Sequence, residues 1–366
     1  MTNPLGPTPS EDPDKRAHED ETTREELETE RPSYEAEHAE NAIELKEVEG
    51  LSQARIVFRR FIRHTGAMVS LAILILVIIL AFSSIGISVG PIVTHGWWRW
   101  DFTGTPNLEN NGAPTWSHPF GQDEIGHDGF ARVMRGTQQS LMIMFVIGIM
   151  STIIGVVIGG VSGYFRGKLD TILMRFTDMI IIIPLILITA IVGRTFGDIG
   201  SFIFALAIGS LTWTGLARLV RGEVLSLREL EFVDAARVAG ASNSRIIFRH
   251  ILPNSVGVII VSTTLAMASA ILLETALSYL GFGVQRPDVS LGLLISDYQT
   301  SFSTRPWLFW WPGLFIIIIA LTVNFIGDGL RDAFDPRQRR KLNRKANAAA
   351  AAARELASSS TSASQA

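Results

Sequence analysis

Six apolar runs, each close to twenty residues long, decide most of what this chain is able to fold into. They occupy 67–88, 140–163, 171–192, 201–216, 255–276 and 308–326, the fourth being the shortest. A helix rising about 1.5 Å per residue needs about 20 residues to cross about 30 Å of hydrocarbon. Because lipid offers the backbone no hydrogen-bond partner, such runs cross as helices. The predicted fold class is therefore all-α, a polytopic membrane protein with six transmembrane helices. A composition of 47% hydrophobic and 18% charged residues over 366 positions agrees, being more apolar than a soluble domain of that length requires.

Charge divides the chain. Residues 1–50 carry about 16 acidic against about 5 basic side chains and few large apolar ones, which predicts a disordered acidic tail. Residues 51–88 hold an amphipathic helix bearing Arg55, Arg59, Arg60 and Arg63, followed by the first span. An extracytoplasmic loop is expected at 89–139, a core with five spans at 140–330, and a basic, then Ala/Ser-rich tail at 331–366. Counting Lys and Arg on alternate flanks gives about 19 against about 6, which predicts a cell-membrane protein with both termini cytoplasmic. Trp97, Trp98, Trp100, Trp307, Trp310 and Trp311 would then mark the outer headgroup boundary.

Enzymatic chemistry finds little support. The chain has no Cys, so it offers no thiolate ligand or nucleophile. "GYFRGKLD" at 163–170 looks like a phosphate loop but is one residue short and lacks the hydroxyl that would hold Mg²⁺. His118, Asp123, Glu124, His127 and Asp128 match no zinc spacing and read as a solvated outer loop. No catalytic residue, metal site or nucleic-acid partner is expected.

Three features of the spans point to packing and gating. Ser151, Gly155, Gly159 and Gly163, at steps of four, leave one helix face open to close approach by another helix, in this chain or in a second subunit. Pro184 should kink the third span, which suits a pathway-lining helix and a structural one equally. Glu274 shares a face with Ser262, Ala266 and Ala270. It lies about 30 Å beyond Pro253, near the outer interface, so it is a candidate for an outer gate or a structural role rather than for a proton relay.

The stretch 231–254, "EFVDAARVAGASNSRIIFRHILPN", interrupts the apolar pattern most sharply. It reads as a helix to residue 238 stopped by Gly240, and a second short helix over 243–251 running into Pro253. Ala235, Ala236, Ala239, Gly240 and Ala241 leave a flat surface rimmed by Asp234, Arg237, Arg245 and Arg249. A docking surface and an ordinary amphipathic re-entry loop both fit this pattern.

The spacing of Asp234-Ala235-Ala236, Gly240, and His250-Ile251-Leu252-Pro253 resembles the cytoplasmic signature of membrane permease subunits of ATP-binding-cassette importers. Asp234 stands where that family carries Glu, and His250 where it carries Ile. "FRRFIRHTGAMVSLAILILVIILAF", "HPFGQDEIGHDGFARVMRGTQQSL" and "ILLETALSYLGFGVQRPDVSLG" are similar to the C-type permease of the dipeptide, oligopeptide and nickel branch. The resemblance implies a type I importer permease fold. It makes 218–253 a coupling loop, with Asp234, Ala235, Ala236, Gly240, Leu252 and Pro253 as its signature residues. It further implies a homologous B-type permease, two cytoplasmic ATPase subunits carrying ATP-Mg, and an external solute-binding protein, with no cofactor in this chain. The expected solute is a di- or oligopeptide; nickel or another small solute, or an ATPase-independent secondary transporter, are the alternatives.

Overall fold

A computed structural model describes residues 53–334 apart from 87, 90, 91, 197 and 198. The acidic tail expected at 1–50 and the Ala/Ser-rich end lie outside the described residues. The membrane bundle belongs to the compact unit that begins at Arg59.

A basic helix, α1 (Gln53–Arg63), is followed by α2 (Thr65–Ser84). His64 starts the second of these: its Nδ1 accepts the Ala67 N–H at 3.1 Å, satisfying a donor that the first helical turn leaves open. At the other end the N–H groups of Trp97 and Trp98 bond the Ser83 and Ser84 carbonyls, at 3.3 and 2.8 Å. A two-residue antiparallel ribbon, β1 (Ser88–Val89) with β2 (Ile92–Val93), forms the intervening turn.

The second span is α3 (Gly129–Phe165), a 37-residue helix about 55 Å long. It starts well before the apolar run at 140, because Asp128 caps it, accepting the Ala131 N–H at 2.7 Å where the helix dipole favours an anion. The third span is not one rod. It consists of α4 (Gly167–Ile182) and α5 (Leu185–Phe196), bent by 84° where Pro184 lacks an amide. The fourth is also broken, into α6 (Ser201–Gly209) and α7 (Thr214–Leu227), with a 44° bend. No proline marks this second break; Gly209 and Ser210, whose hydroxyl turns back to the Ala207 carbonyl at 2.6 Å, weaken the helix there.

After α8 (Glu231–Val238), α9 (Asn243–Ile246) runs through a π-turn (Ile247–Ile251) into α10 (Leu252–Tyr279). The second short helix expected at 243–251 is thus the base of the fifth span, and the elbow sits at Gly240 alone. The π-turn spaces the backbone around Pro253, and Asn254 Nδ2 bonds the His250 carbonyl at 2.6 Å. A short α11 (Leu291–Tyr298) and the last span, α12 (Pro306–Phe334), complete the described chain. Four helices are long and apolar enough to cross a membrane alone, and the two bent pairs bring the number to six among the described residues.

The core runs in three clusters. The largest joins α2, α3, α10 and α12 around Leu74, Met134, Ile271 and Ile319. A second gathers Ile143, Phe204, Ile208 and Leu277, and a third, around Val220, Val233, Ile246 and Ile251, sits at the end that carries α8. Outward faces stay apolar, with Leu76, Phe176 and Ile182 exposed, as a chain bathed in hydrocarbon or covered by other membrane subunits allows.

The segment 118–128 is no solvated loop. His118, Gln122 and Asp128 are buried, and His118 Nδ1 meets Asp128 Oδ2 at 2.6 Å. Asp123 accepts from His127 Nδ1 at 2.7 Å and from Arg132 at 2.9 Å, and Arg132 also donates to the Tyr298 hydroxyl at 2.9 Å. Burial pushes the Tyr298 hydroxyl up from its ordinary pKa, so it remains protonated. Arg135 grips Asp288 with two bonds of 2.8 and 2.9 Å. Several indoles are tied into this cap: Trp98 donates to Asp128, Trp100 to the Ser117 carbonyl, Trp307 to the Gly112 carbonyl, and Trp311 stacks on Phe120.

Candidate functional site

At the end of the bundle formed by Phe165, Leu227 and Leu252, the helix α8 stands out from the spans. Val233 is its one fully buried side chain, packed with Val220, Ile246 and Ile251. Ala236 and Ala241 lean on the same cluster, while Ala235, Ala239 and Gly240 face outward. Val238 is 90% exposed and Phe248 64% exposed, so the outward face is apolar as well as flat.

Local rules account for this shape. The Ala239 N–H bonds the Ala235 carbonyl and the Ala241 N–H bonds the Ala236 carbonyl, both at 3.0 Å, a helix ending that needs a left-handed residue between them. Gly240 supplies it at φ +78°, and a Cβ added there would meet no atom of the described residues within 4 Å. Asp234 does not point away as a free anion. Its carboxylate pairs with Arg237 one turn on, at 2.7 Å, with both groups about half exposed or more. Such a pair contributes on the order of 0–1 kcal/mol, so a competing cation can take the carboxylate at little cost.

The segment is tied to the spans by polar contacts too. The Tyr164 hydroxyl donates to Asn243 Oδ1 at 2.9 Å, and Arg228 donates to the Tyr164 carbonyl. Arg166, at the joint between α3 and α4, pairs with Glu229 at 2.7 Å, and Arg221 holds Asp170 with bonds of 2.6 and 2.7 Å.

Ser151, Gly155, Gly159 and Gly163 lie on one face of α3, and its three glycines meet α7 of the same chain. A methyl group on Gly155 would lie 2.6 Å from Leu216 Cδ2, on Gly159 2.4 Å from the Ala217 carbonyl oxygen, and on Gly163 2.8 Å from the Arg221 carbonyl oxygen. The two backbones therefore touch, and the base of α8 is fastened to the longest helix in the bundle.

Glu274 lies at the opposite end of α10 and is fully buried. It accepts hydrogen bonds from Ser140 at 3.0 Å and Ser278 at 2.7 Å. Ser278 contacts Ser290 at 3.1 Å, and Ser140 accepts the Leu291 N–H at 3.2 Å. One carboxyl thus knots α3, α10 and the start of α11. Among the described residues no three His, Asp or Glu side chains gather to hold a metal ion.

Residues 155–340, which include α8 and its supports, match the family model described as the binding-protein-dependent transport system inner membrane component. Residues 52–96 match that of the N-terminal TM domain of oligopeptide transport permease C. The chain belongs to the binding-protein-dependent transport permease family. The oligopeptide transport system permease protein OppC of Mycobacterium tuberculosis is 38% identical over 289 residues, covering 79% of this chain and 96% of that protein. The dipeptide transport system permease protein DppC of Bacillus subtilis is 36% identical over 293 residues, covering 79% of this chain and 88% of its own. Of solved structures, the MetNI methionine ABC transporter in an inward-facing form is 20% identical with a TM-score of 0.43, covering 56% of this chain and 97% of that one.

This permease is a multi-pass membrane component of an ATP-binding-cassette importer. Of its signature residues, Asp234, Ala235, Ala236 and Gly240 share α8 and its ending, whereas Leu252 and Pro253 lie beyond the π-turn at the foot of α10. The Ser/Gly stripe meets α7, and Glu274 is remote from all of these. Sequence reasoning missed Tyr164, Arg228 and Asn243, whose partners lie 64 and 79 residues apart. The only local signal was their position beside the insert.

Proposed function

We propose that the permease forms one half of the translocation pathway of an ATP-driven importer of di- or oligopeptides. A homologous B-type permease completes the pathway, two cytoplasmic ATPase subunits bind ATP-Mg, and an external solute-binding protein delivers the peptide. Both termini face the cytoplasm in this reading, because the basic flanks resist translocation. The observation that carries it is the outward face of α8, with Val238 90% exposed, bearing the signature residues Asp234, Ala235 and Gly240, while Ala236 of the same signature packs inward. The peptide preference rests on what the relatives' names state of them. ATP-driven closure of the ATPases draws α8 with it. The shared cluster of Val233, Ile246 and Ile251 and the backbone contact of α7 with α3 pass that movement to the spans.

Glu274 takes the outer-gate role by anchoring rather than by facing the solute, since its carboxyl holds the segment after α10 against α3. Glu274→Ala leaves two buried hydroxyls without their acceptor, which costs about 1–3 kcal/mol for each unsatisfied group. The expected result is a lower melting temperature and reduced uptake, with Glu274→Gln keeping most of both. Normal transport by Glu274→Ala in a reconstituted assay removes the gate role.

The whole reading is tested by purifying the chain with its partner subunits and measuring uptake into proteoliposomes. Labelled trialanine should enter only with ATP and the binding protein. Uptake driven by an ion gradient without ATPases, or of nickel and never of trialanine, would each defeat the proposal.

A further inference from the structure

Between α3, α10 and the two broken spans lies a cavity of about 350 Å³, in the size range of roughly 300–1,000 Å³ usual for small-molecule sites. Its wall includes Ser151, Leu185, Thr212, Ser262, Ala266 and Ser269, and among the described residues no ionisable side chain lines it. Ser262 and Ser269 stand about 15 and 26 Å along α10 from Leu252, so the cavity sits at mid-membrane depth.

Two independent features mark it as built for a polar guest. The first is hydroxyl capacity left over. Most hydroxyls of the spans turn back on their own helix: Thr152, Thr177, Thr189, Thr263 and Thr322 each donate to a carbonyl one turn earlier at 2.7–2.8 Å, and Ser269 of this wall donates to the Leu265 carbonyl at 3.0 Å, leaving its oxygen free to accept. Ser151, 1% exposed, has no hydrogen-bond partner among the described residues, and Thr212 reaches the Ile208 and Gly209 carbonyls only at 3.4 Å. A buried donor left unpaired costs about 1–3 kcal/mol, which a guest's carbonyl would relieve. The second is backbone. Leu185 is the first helical residue after the 84° bend and Thr212 lies within the 44° one, so both breaks adjoin this one cavity. Non-helical backbone at membrane depth persists only where it is buried in protein or lines a water-filled space, so this wall does not face hydrocarbon.

We infer that this cavity is the solute-contact site of this half of the pathway, and that it takes the uncharged main chain of a peptide. The hydroxyls of Ser151, Thr212, Ser262 and Ser269 pair with peptide amides, and side chains of any kind lie along the apolar wall. A bare divalent cation finds no carboxylate, imidazole or thiolate among the described residues there. The inference rests on the peptide-importer reading and adds which groups of the peptide this permease reads.

Because the chain contains no Cys, Ser262→Cys places one thiol in this subunit of the complete importer, the other subunits' thiols being blocked beforehand. A methanethiosulfonate reagent is applied during ATP-driven cycling in proteoliposomes, with and without trialanine on the binding protein. Trialanine should slow labelling at least fivefold, nickel should not, and Val256→Cys, on an exposed face of the same helix, should be unaffected. Ala266→Leu, which fills the cavity, should cut trialanine uptake at least tenfold while the subunits still co-purify. A thiol introduced by Ser262→Cys that never reacts, or reacts equally with and without trialanine, overturns the site, as does wild-type uptake by Ala266→Leu. Wild-type importer that takes up nickel and no trialanine overturns the peptide reading beneath it.

Discussion

Gly240→Trp and Val238→Asp should each lower ATP-dependent peptide uptake at least tenfold, while Gly240→Ala lowers it little. The comparison turns on what each change does to the chain alone. Any residue other than glycine at φ +78° pays for a left-handed backbone, about 1–2 kcal/mol, and Ala and Trp pay it alike. A first side-chain carbon at Gly240 meets no atom of the described residues within 4 Å, so Ala adds no clash there, while the larger Trp probes for a partner seated against α8. Val238 is 90% exposed, so Val238→Asp should leave the fold intact and put a charge into an apolar contact. Tenfold corresponds to about 1.4 kcal/mol of docking free energy, a small part of what an interface core residue contributes. The measurement is peptide-stimulated ATP hydrolysis beside uptake in proteoliposomes. If Gly240→Trp kept wild-type values of both, α8 would have no part in coupling.

Gly159→Leu is expected to prevent assembly of the permease, whereas Gly160→Ala one residue away is expected to be neutral or stabilising. On Gly159 an added carbon lies 2.4 Å from the Ala217 carbonyl oxygen and 3.0 Å from the Arg221 nitrogen, and backbone of a packed helix has nowhere to move. Overpacking of this kind costs about 1–3 kcal/mol for a methyl group, and a larger side chain forces α3 and α7 apart. At Gly160 the nearest atom is the flexible end of Leu252 at 4.0 Å, so Ala fits and removes a helix-propensity penalty of about 1 kcal/mol. Fluorescence-detected size exclusion and melting of the detergent-purified complex read both. Equal melting temperatures for the two variants would mean that the stripe is not a packing surface.

Much of the architecture was legible because lipid imposes a length rule on any helix that crosses it. The apolar runs located the spans, and Pro184 announced the sharper of the two breaks. The break at Ser210 had no such mark, since a Gly-Ser pair in a helix is often harmless and only its packing against α3 decides. The π-turn at Ile247–Ile251 was likewise hidden, because a one-residue change in helical register leaves no compositional trace. The segment 118–128 read as solvated because its charges are dense in sequence. Those charges pair with one another and with Arg132, while Asp288, Asp297 and Tyr298, which hold Arg132 and Arg135 at the helix start beside them, come from more than 150 residues away.

For the candidate site the division has a physical basis. Sequence alone determined the number of apolar runs, the polar insert between the fourth and fifth, and the spacing from Asp234 through Gly240 to Pro253 that the family shares. These are local properties, set by hydropathy, backbone freedom and position along one segment. Only the tertiary structure decided that α8 turns Val238 outward and Val233 inward, that the glycine stripe meets α7 of its own chain, and that two helix breaks and four hydroxyls border one cavity. Those are relations between distant segments, and they follow from how side chains pack once the spans stand together.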